Sequence, residues 1–219
     1  MQQKYFGFGC LAFSIWLFTL SSQQRASKSA HENAKYFIDS RLPEELFLRC
    51  KILSGDIIFR LGHGFISEAL RTLSQRDQHY SHAGIISVEN GMPYVYHLIG
   101  GESEASTIRR EKLEDFCKPE NAKSFAVYRI LSDDLQRNII DSLNHYYYHC
   151  TLPFDNRFDM NTDSAMYCTE YVYKVISQAN DHNILITSSV LSGFRYISCD
   201  DIYLNSSVQK IFEYQYIQN

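Results

Sequence analysis

Cys168 is the residue of this sequence best suited to act as a nucleophile. It lies in the segment Tyr167-Cys168-Thr169-Glu170, near the start of a helix that the pattern predicts from about Ser164 to Gln178. The first N–H groups of a helix have no intrahelical partner, and with the helix dipole they stabilise a thiolate. A cysteine is, however, more often a small buried apolar residue than a catalyst. The nucleophile hypothesis, with a depressed pKa for Cys168, therefore depends on finding a base.

Two histidines on neighbouring predicted strands can supply that base. His82 stands at the mouth of an apolar strand, and the later Asn90-Gly91 dipeptide is typical of a two-residue hairpin turn. The returning strand brings His97 beside His82. A polar neighbour that binds one ring nitrogen of a histidine decides which nitrogen acts as the base. Each histidine alone fits a structural role, but with Cys168 the two predict a triad in which His97 orients His82.

A sheet must therefore carry the histidines, and a later helix must carry the cysteine. Apolar segments predict further strands, one that starts after a turn near Ile57 and one near Phe125. Helical spacing predicts a helix after Phe65 and another that Ser132 would cap. The tail from Ile184 alternates apolar and polar residues, which predicts one or two closing strands.

The N-terminal residues differ in composition from the rest of the chain. Lys4 precedes an uncharged, apolar-rich stretch that ends in small polar residues, a pattern typical of an export signal. We expect residues 1–22 to be a signal peptide, residues 23–33 a flexible lead-in and residues 34–219 one globular domain. The domain would then be exported, to the periplasm or outside the cell. If the signal were not cleaved, it would anchor the domain in a membrane.

The net charge bears on nucleic-acid binding, and the number of cysteines bears on disulfide pairing. The formal net charge is -4, and no run of Lys and Arg stands out, so we expect no nucleic-acid partner. Loss of the signal would leave five of the 6 cysteines, and an odd number leaves at least one thiol unpaired in an oxidising compartment. Cys168 is the candidate for that free thiol. The pairing of the other four stays open; they are Cys50, Cys117, Cys150 and Cys199.

Four motifs occur in an order that is found in a known family. They are Gly55-Asp56-Ile57-Ile58-Phe59, Tyr80-Ser81-His82-Ala83-Gly84-Ile85-Ile86, Pro153-Phe154-Asp155 and Tyr167-Cys168-Thr169-Glu170-Tyr171-Val172-Tyr173. Together they resemble the signatures of circularly permuted NlpC-type papain-like cysteine hydrolases, the YiiX/YaeF-like branch related to lecithin retinol acyltransferase. The resemblance runs from about Leu53 to Phe212. One departure is Cys199, which stands where the family pattern usually has proline.

The resemblance implies a permuted papain-like fold of the α+β class. In this fold the catalytic-cysteine helix follows an antiparallel sheet in sequence and packs against it. Carried over residue by residue, the nucleophile is Cys168, the base is His82 and the residue that orients the base is His97. Tyr80 would contribute to the oxyanion site.

The function that the resemblance implies is hydrolysis of an amide or ester bond through a thioester on Cys168. The substrate would be a cell-wall peptide or a lipid or other acyl compound, and a lipid substrate would bring the protein to a membrane surface. Two alternatives stay open, acyl transfer on a lipid substrate and a catalytically inactive exported binding or scaffold protein. No cofactor is expected. Zinc held by His79 and His82, with His63 or Cys168, is disfavoured because residues three apart on a strand point to opposite faces.

Overall fold

An antiparallel sheet carries the histidines singled out above. The structure, a computed structural model, describes residues 51–100, 108–183 and 185–216, all within one compact unit, Ile38–Asn219. The expected signal peptide and lead-in, with Cys10 and Cys50, lie outside the described residues. Within the described ranges, no helix is long and apolar enough to cross a membrane.

The described residues form eight strands and five helices. The strands are β1 Ile57–Leu61, β2 His82–Glu89, β3 Met92–His97, β4 Arg109–Lys112, β5 Ser124–Ile130, β6 Ser189–Leu191, β7 Phe194–Tyr196 and β8 Val208–Gln215. The helices are α1 Gly64–Arg71, α2 Leu113–Cys117, α3 Asp133–His149, α4 Cys168–Ala179 and α5 Cys199–Tyr203.

Six of the strands form one sheet in the order β4-β3-β2-β1-β5-β8, and each neighbouring pair is antiparallel. The hairpin between β2 and β3 has the predicted turn, since Asn90 and Gly91 have φ values of 51° and 81°. Two successive positive φ values belong to the type I′ turn, whose twist matches that of the flanking strands. The register that follows pairs Ile85 with Tyr96. The hairpin prediction is therefore confirmed.

The two faces of the sheet bury different sets of side chains. Ile57 and Phe59 of β1 belong to the larger core, together with apolar residues of α3 and α4, whereas Ile58 belongs to the smaller core with Phe116. Arg60 follows Ile58 by two residues and stacks over the Phe116 ring. Alternation along β1 thus directs a cation to the face opposite the larger core.

Helix α4 packs on β2 and on α3. Its residues Tyr171, Val172 and Val175 are fully buried in the larger core. Helix α3 begins where it was predicted to begin, because the Ser132 hydroxyl accepts a hydrogen bond from the N–H of Leu135 at 3.4 Å.

The start of α4 differs from the sequence-based expectation. The helix begins at Cys168 and not near Ser164. The chain just before the helix is instead hydrogen-bonded to the loop at residues 153–155. The N–H of Asp155 donates to the carbonyl oxygen of Met166 at 3.0 Å, and the N–H of Met166 donates to the carbonyl oxygen of Pro153 at 3.1 Å. These hydrogen bonds use the backbone groups that an earlier helical turn would need. As a result, Cys168 is the first residue of the helix.

Candidate active site

Two hydrogen bonds fix the N-terminus of α4, where Cys168 lies. The hydroxyl of Thr169 donates to the carbonyl oxygen of Ile197 at 2.7 Å, and the N–H of Ile197 donates to the hydroxyl oxygen of Tyr167 at 2.7 Å. Both side chains that make these bonds are buried. Because they flank the cysteine on each side, they hold its thiol at a defined position.

Burial raises the pKa of the Cys168 thiol, and it outweighs several opposing effects. The backbone N–H groups of Ala83, Thr169 and Cys168 itself favour the thiolate, as does the positive charge of Arg60. The depressed pKa predicted from the helix position is therefore wrong for the resting site. The helix amides are present, but removal from water disfavours the thiolate more. The resting cysteine is a neutral thiol.

Glu170, in the same helical turn, does not oppose charge on the sulfur. Its side chain is fully buried, and the N–H of Tyr167 donates to Oε2 at 3.4 Å. Burial raises the pKa of Glu170 to about 8, so the carboxyl group is largely protonated at neutral pH. A thiolate on Cys168 would therefore lie at a helix N-terminus where Glu170 adds little negative charge.

His82 and His97 form a buried pair at one end of the sheet. His82 is the first residue of β2, His97 is the last residue of β3, and Nε2 of His82 lies 2.8 Å from Nδ1 of His97. Burial lowers the pKa of both rings, and the positive charge of Arg60 acts in the same direction. Both imidazoles are therefore neutral at neutral pH. Their mutual hydrogen bond leaves Nδ1 of His82 as the nitrogen that could take a proton.

The cysteine meets the histidine strand at its first residues. The N–H of Ala83 contacts the Cys168 thiol, and Ala83 directly follows His82. Because adjacent Cα atoms are about 3.8 Å apart, the thiol lies beside the strand start that carries His82. Hydrogen bonds between catalytic groups often tighten only when substrate is bound. Among the described residues no hydrogen bond joins the Cys168 thiol to the ring of His82 or of His97, and what the structure places beside the thiol is the backbone at the start of β2.

Two charged residues, Arg60 and Glu111, lie close to the histidine pair. Neither was predicted from the sequence. Arg60 donates to the carbonyl oxygen of Phe116 at 2.9 Å, and its guanidinium lies 4.2 Å above the centre of that ring. Oε1 of Glu111 lies 3.8 Å from Nη1 of Arg60 and 2.9 Å from Nε2 of His97. The alternation of β1 is a signal that could have located Arg60. Glu111 lies in a short polar run that carries no comparable signal.

Tyr80 does not point to the site that the resemblance implied. Its hydroxyl donates to Oε1 of Glu213 at 2.7 Å, and its ring packs against Phe59 and Tyr203 in the larger core. The assignment of Tyr80 to the oxyanion site is corrected accordingly, because the hydroxyl proton is already donated to β8.

A small pocket opens beside the thiol. Its wall is mainly apolar and comes from the end of α1, from the loop before α4 and from the segment before α5. The apolar members are Leu70, Leu73, Phe158, Tyr167 and Ile197. Cys199, the departure from the family pattern, lines the same pocket. Cys168 and Cys199 are both free thiols, as are Cys117 and Cys150.

The histidines weighed as a metal site have separate partners. Nε2 of His63 lies 2.7 Å from the carbonyl oxygen of Pro119, and His79 pairs with Asp77. In the part of the chain that the structure describes, no group of three or more His, Cys, Asp and Glu side chains could hold a metal ion.

Residues 51–192 match a family described as "Permuted papain-like amidase enzyme, YaeF/YiiX, C92 family". The chain belongs to this family. It is 27% identical over 129 residues to the uncharacterized protein YiiX of Escherichia coli (strain K12), and that alignment spans only 58% of the relative's length and 58% of this chain. A crystal structure of the metalloprotein yiiX from Escherichia coli O157:H7 has a similar fold, with a TM-score of 0.61 at 19% identity over 75% of this chain and 98% of that one.

Membership of the YaeF/YiiX family confirms the family and the α+β fold that the four motifs predicted. The chain order agrees with the permutation, because the strands that carry His82 and His97 precede the helix that carries Cys168. The family is one of papain-like amidases, which are thiol hydrolases. The roles of the individual residues remain predictions.

Proposed function

We propose that this protein is an exported cysteine amidase that cleaves an amide or ester bond through a thioester on Cys168. One observation carries the proposal: the Cys168 thiol lies among backbone N–H groups at a helix start and contacts the residue next to His82, whose ring is bonded to His97. These are the parts that thiol-dependent acyl transfer needs, namely a nucleophile, a base and an orienting group.

The reaction begins from a neutral thiol and a neutral imidazole. Nδ1 of His82 takes the proton of Cys168 as the sulfur attacks the carbonyl carbon, and the carbonyl oxygen takes the electron pair. The N–H groups of Cys168 and Thr169 at the helix start can stabilise that oxyanion. Collapse breaks the bond to the leaving group, and His82 donates its proton to the departing amine or alcohol.

Hydrolysis completes the cycle. His82 accepts a proton from water, the hydroxide attacks the thioester carbon, and the carbon–sulfur bond breaks. The acid leaves, and the proton returns to Cys168. Another acceptor in place of water would give acyl transfer, so product analysis distinguishes these two functions.

The walls of the pocket favour an apolar group next to the scissile carbonyl. Leu70, Leu73 and Ile197 supply aliphatic surface and Phe158 supplies an aromatic ring. We therefore favour a lipid or acyl substrate over a polar cell-wall peptide, and with it action at a membrane surface. A longer acyl chain should lower KM, because each CH₂ group buried contributes about 0.8 kcal/mol.

No step of this mechanism uses a metal. The yiiX crystal structure is described as that of a metalloprotein, but here the histidines weighed as metal ligands have other partners. In particular, Nε2 of His82 and Nδ1 of His97 face each other at 2.8 Å, a separation that holds a shared proton rather than a metal ion.

Hydrolysis of p-nitroanilide amides and p-nitrophenyl esters with short and long acyl chains tests the proposal. Cys168→Ser should abolish turnover, and His82→Gln should reduce it by roughly 100-fold or more, the scale of general base catalysis. The matched controls are Cys150→Ser, at a free thiol on the end of α3, and His145→Gln, at an exposed histidine of α3. Both should be as active as the wild type.

Mass spectrometry of the acylated enzyme supplies the second measurement. The acyl group should reside on the Cys168 peptide and be released by hydroxylamine, as a thioester is. Acylation of another residue, or equal turnover by Cys168→Ser and the wild type, would refute the proposal. A folded protein that neither acylates nor turns over any of these compounds would favour the binding or scaffold alternative.

The proposal that the protein is exported is based on the composition of residues 1–22. The protein recovered from the periplasm should lack about this segment when its intact mass is measured. An intact N-terminus in the membrane fraction would show an anchor in place of a cleaved signal.

A further inference from the structure

His97 has a second polar contact on the side away from His82. Its side chain is only 1% exposed, and Nε2 lies 2.9 Å from Oε1 of Glu111 on β4. The two atoms are close, but they do not form a well-aligned hydrogen bond. Elsewhere in the described part of the chain, Nε2 has no hydrogen-bond partner. Glu111 is therefore the group that can compensate the burial of this nitrogen.

Glu111 is ionised in this setting. Partial burial alone would raise the pKa of its carboxyl group, but the close approach of His97 and the positive charges of Arg60 and Arg109 outweigh burial and lower the pKa. An ionised carboxylate accepts hydrogen bonds and cannot donate one. A proton on Nε2 of His97 is therefore favoured, because a lone pair there would face the carboxylate at 2.9 Å.

A proton on Nε2 of His97 determines the tautomer of both rings. A neutral imidazole has one N–H donor and one acceptor nitrogen. With Nε2 of His97 protonated, Nδ1 of His97 is an acceptor, so the hydrogen bond at 2.8 Å requires a proton on Nε2 of His82. The remaining nitrogen, Nδ1 of His82, then carries a lone pair. That is the tautomer in which His82 can take a proton from Cys168.

We propose that Glu111 is a positioning residue, which sets the tautomers of His97 and His82 and so keeps His82 in its basic form towards Cys168. This inference rests on the proposed function, in which His82 is the base. It adds a fourth member to the predicted triad, supplied by the edge strand of the sheet.

An amide at this position would remove the constraint. In Glu111→Gln the side chain can accept from Nε2 of His97 or donate to it, so both proton arrangements become accessible. In the reversed arrangement Nδ1 of His97 donates to Nε2 of His82, and Nδ1 of His82 is protonated and cannot act as a base. Replacing the carboxylate that directly contacts a catalytic histidine costs about 10⁴-fold in kcat. Since His97 stands between, we expect a smaller loss of about 10- to 100-fold.

Nitrogen-15 NMR of the histidine-labelled protein tests this directly, because ring-nitrogen shifts distinguish protonated from unprotonated nitrogens. The wild type should show Nε2–H on both His82 and His97. Glu111→Gln should shift a fraction of both rings to Nδ1–H and lower kcat/KM, and Glu111→Asp should largely restore the wild-type tautomers because it keeps a carboxylate. The matched control is Glu89→Gln, which removes a carboxylate of β2 that pairs with Arg110 of β4. Its tautomers should be those of the wild type.

The failures of the two proposals are distinguishable. If His82→Gln slows turnover while Glu111→Gln leaves both rings protonated on Nε2, the role of Glu111 is refuted and the amidase proposal stands. A wild-type spectrum with His97 protonated on Nδ1 also refutes the role of Glu111, and it does so even where the Gln variant fails to fold. Normal turnover by His82→Gln would instead refute the function on which this inference rests.

Discussion

Gly84→Ala should disturb the part of the hairpin that holds His97. Gly84 lies in β2, two residues after His82. A Cβ atom at this position would lie 2.6 Å from Cγ1 of Val95, 3.1 Å from Cβ of His97 and 3.1 Å from the carbonyl oxygen of Tyr96. Ordinary van der Waals contact begins at 3.4 Å, so the first separation is too short by 0.8 Å and the other two by 0.3 Å.

These clashes cannot be relieved by moving one flexible chain end. Val95 is fully buried, and the other two atoms move only with the backbone of β3. Overpacking of this kind costs about 1–3 kcal/mol of unfolding free energy. In a domain of this size the melting temperature should therefore fall by roughly 2–12 °C. Displacement of His97 should also weaken its hydrogen bond to His82 and lower kcat/KM by about tenfold, less than the 100-fold expected for a full 1 Å misplacement.

Urea unfolding distinguishes the clash with Val95 from the contact with His97. Four proteins are compared: wild type, Gly84→Ala, Val95→Ala and the double variant. Val95→Ala removes the atom in the worst clash and leaves a cavity that the new methyl group partly fills. The double variant should therefore be more stable than the sum of the single changes predicts, by about 1 kcal/mol. Its activity should stay low, because the His97 contact persists. Additive free energies would refute the Val95 clash, and full activity of Gly84→Ala would refute control of His97 by this packing.

Three further measurements test other parts of the structure. Tyr80→Phe removes the hydrogen bond to Glu213 and should cost about 1 kcal/mol of unfolding free energy while leaving turnover at the wild-type level; a large loss of turnover would restore Tyr80 to the oxyanion site. Asp56→Asn should lower the unfolding free energy, measured in urea, by about 3–5 kcal/mol. The reason is that the buried carboxylate accepts two hydrogen bonds from Arg129, at 2.8 and 2.7 Å. Arg137→Gln is the surface control, and a change below about 1 kcal/mol for Asp56→Asn would contradict the prediction. The unfolding free energy should also decrease as the pH falls through about 6.5, the unfolded value for histidine. Burial lowers the pKa of His82 and His97, so the unfolded chain binds protons that the folded one does not; an unchanged slope in the double variant His82→Gln, His97→Gln would exclude these residues as the cause.

Local patterns predicted the parts of the site that local chemistry determines. Asn90-Gly91 marked the hairpin because few other dipeptides tolerate two positive φ values, and the hairpin places His97 against His82. The Ser132 cap marked the start of α3 for a similar reason, since its hydroxyl satisfies the free N–H of Leu135. In both cases the signal and the structure it determines lie within a few residues of each other.

Contacts between distant segments could not be predicted in this way. Glu111 reaches His97 because β4 pairs with β3, and the two strands are separated by a connection that begins after His97 and ends at Arg109. The raised pKa of Cys168 likewise depends on burial by residues from α1 and from the segment before α5, which no local pattern around the cysteine reveals. The sequence predicted a depressed pKa for Cys168, and burial raises it instead.

The charges around the histidines explain how a neutral resting site can still support proton transfer. Arg60 disfavours an imidazolium on His82 or His97, whereas Glu111 favours one on His97. The two groups are 3.8 Å apart, and their attraction is about 4 kcal/mol at an effective dielectric constant of about 20. Each therefore balances much of the field that the other exerts on the rings. Burial then keeps the thiol and imidazole neutral at rest, and in the proposed mechanism charge would separate only when a bound carbonyl forms the oxyanion.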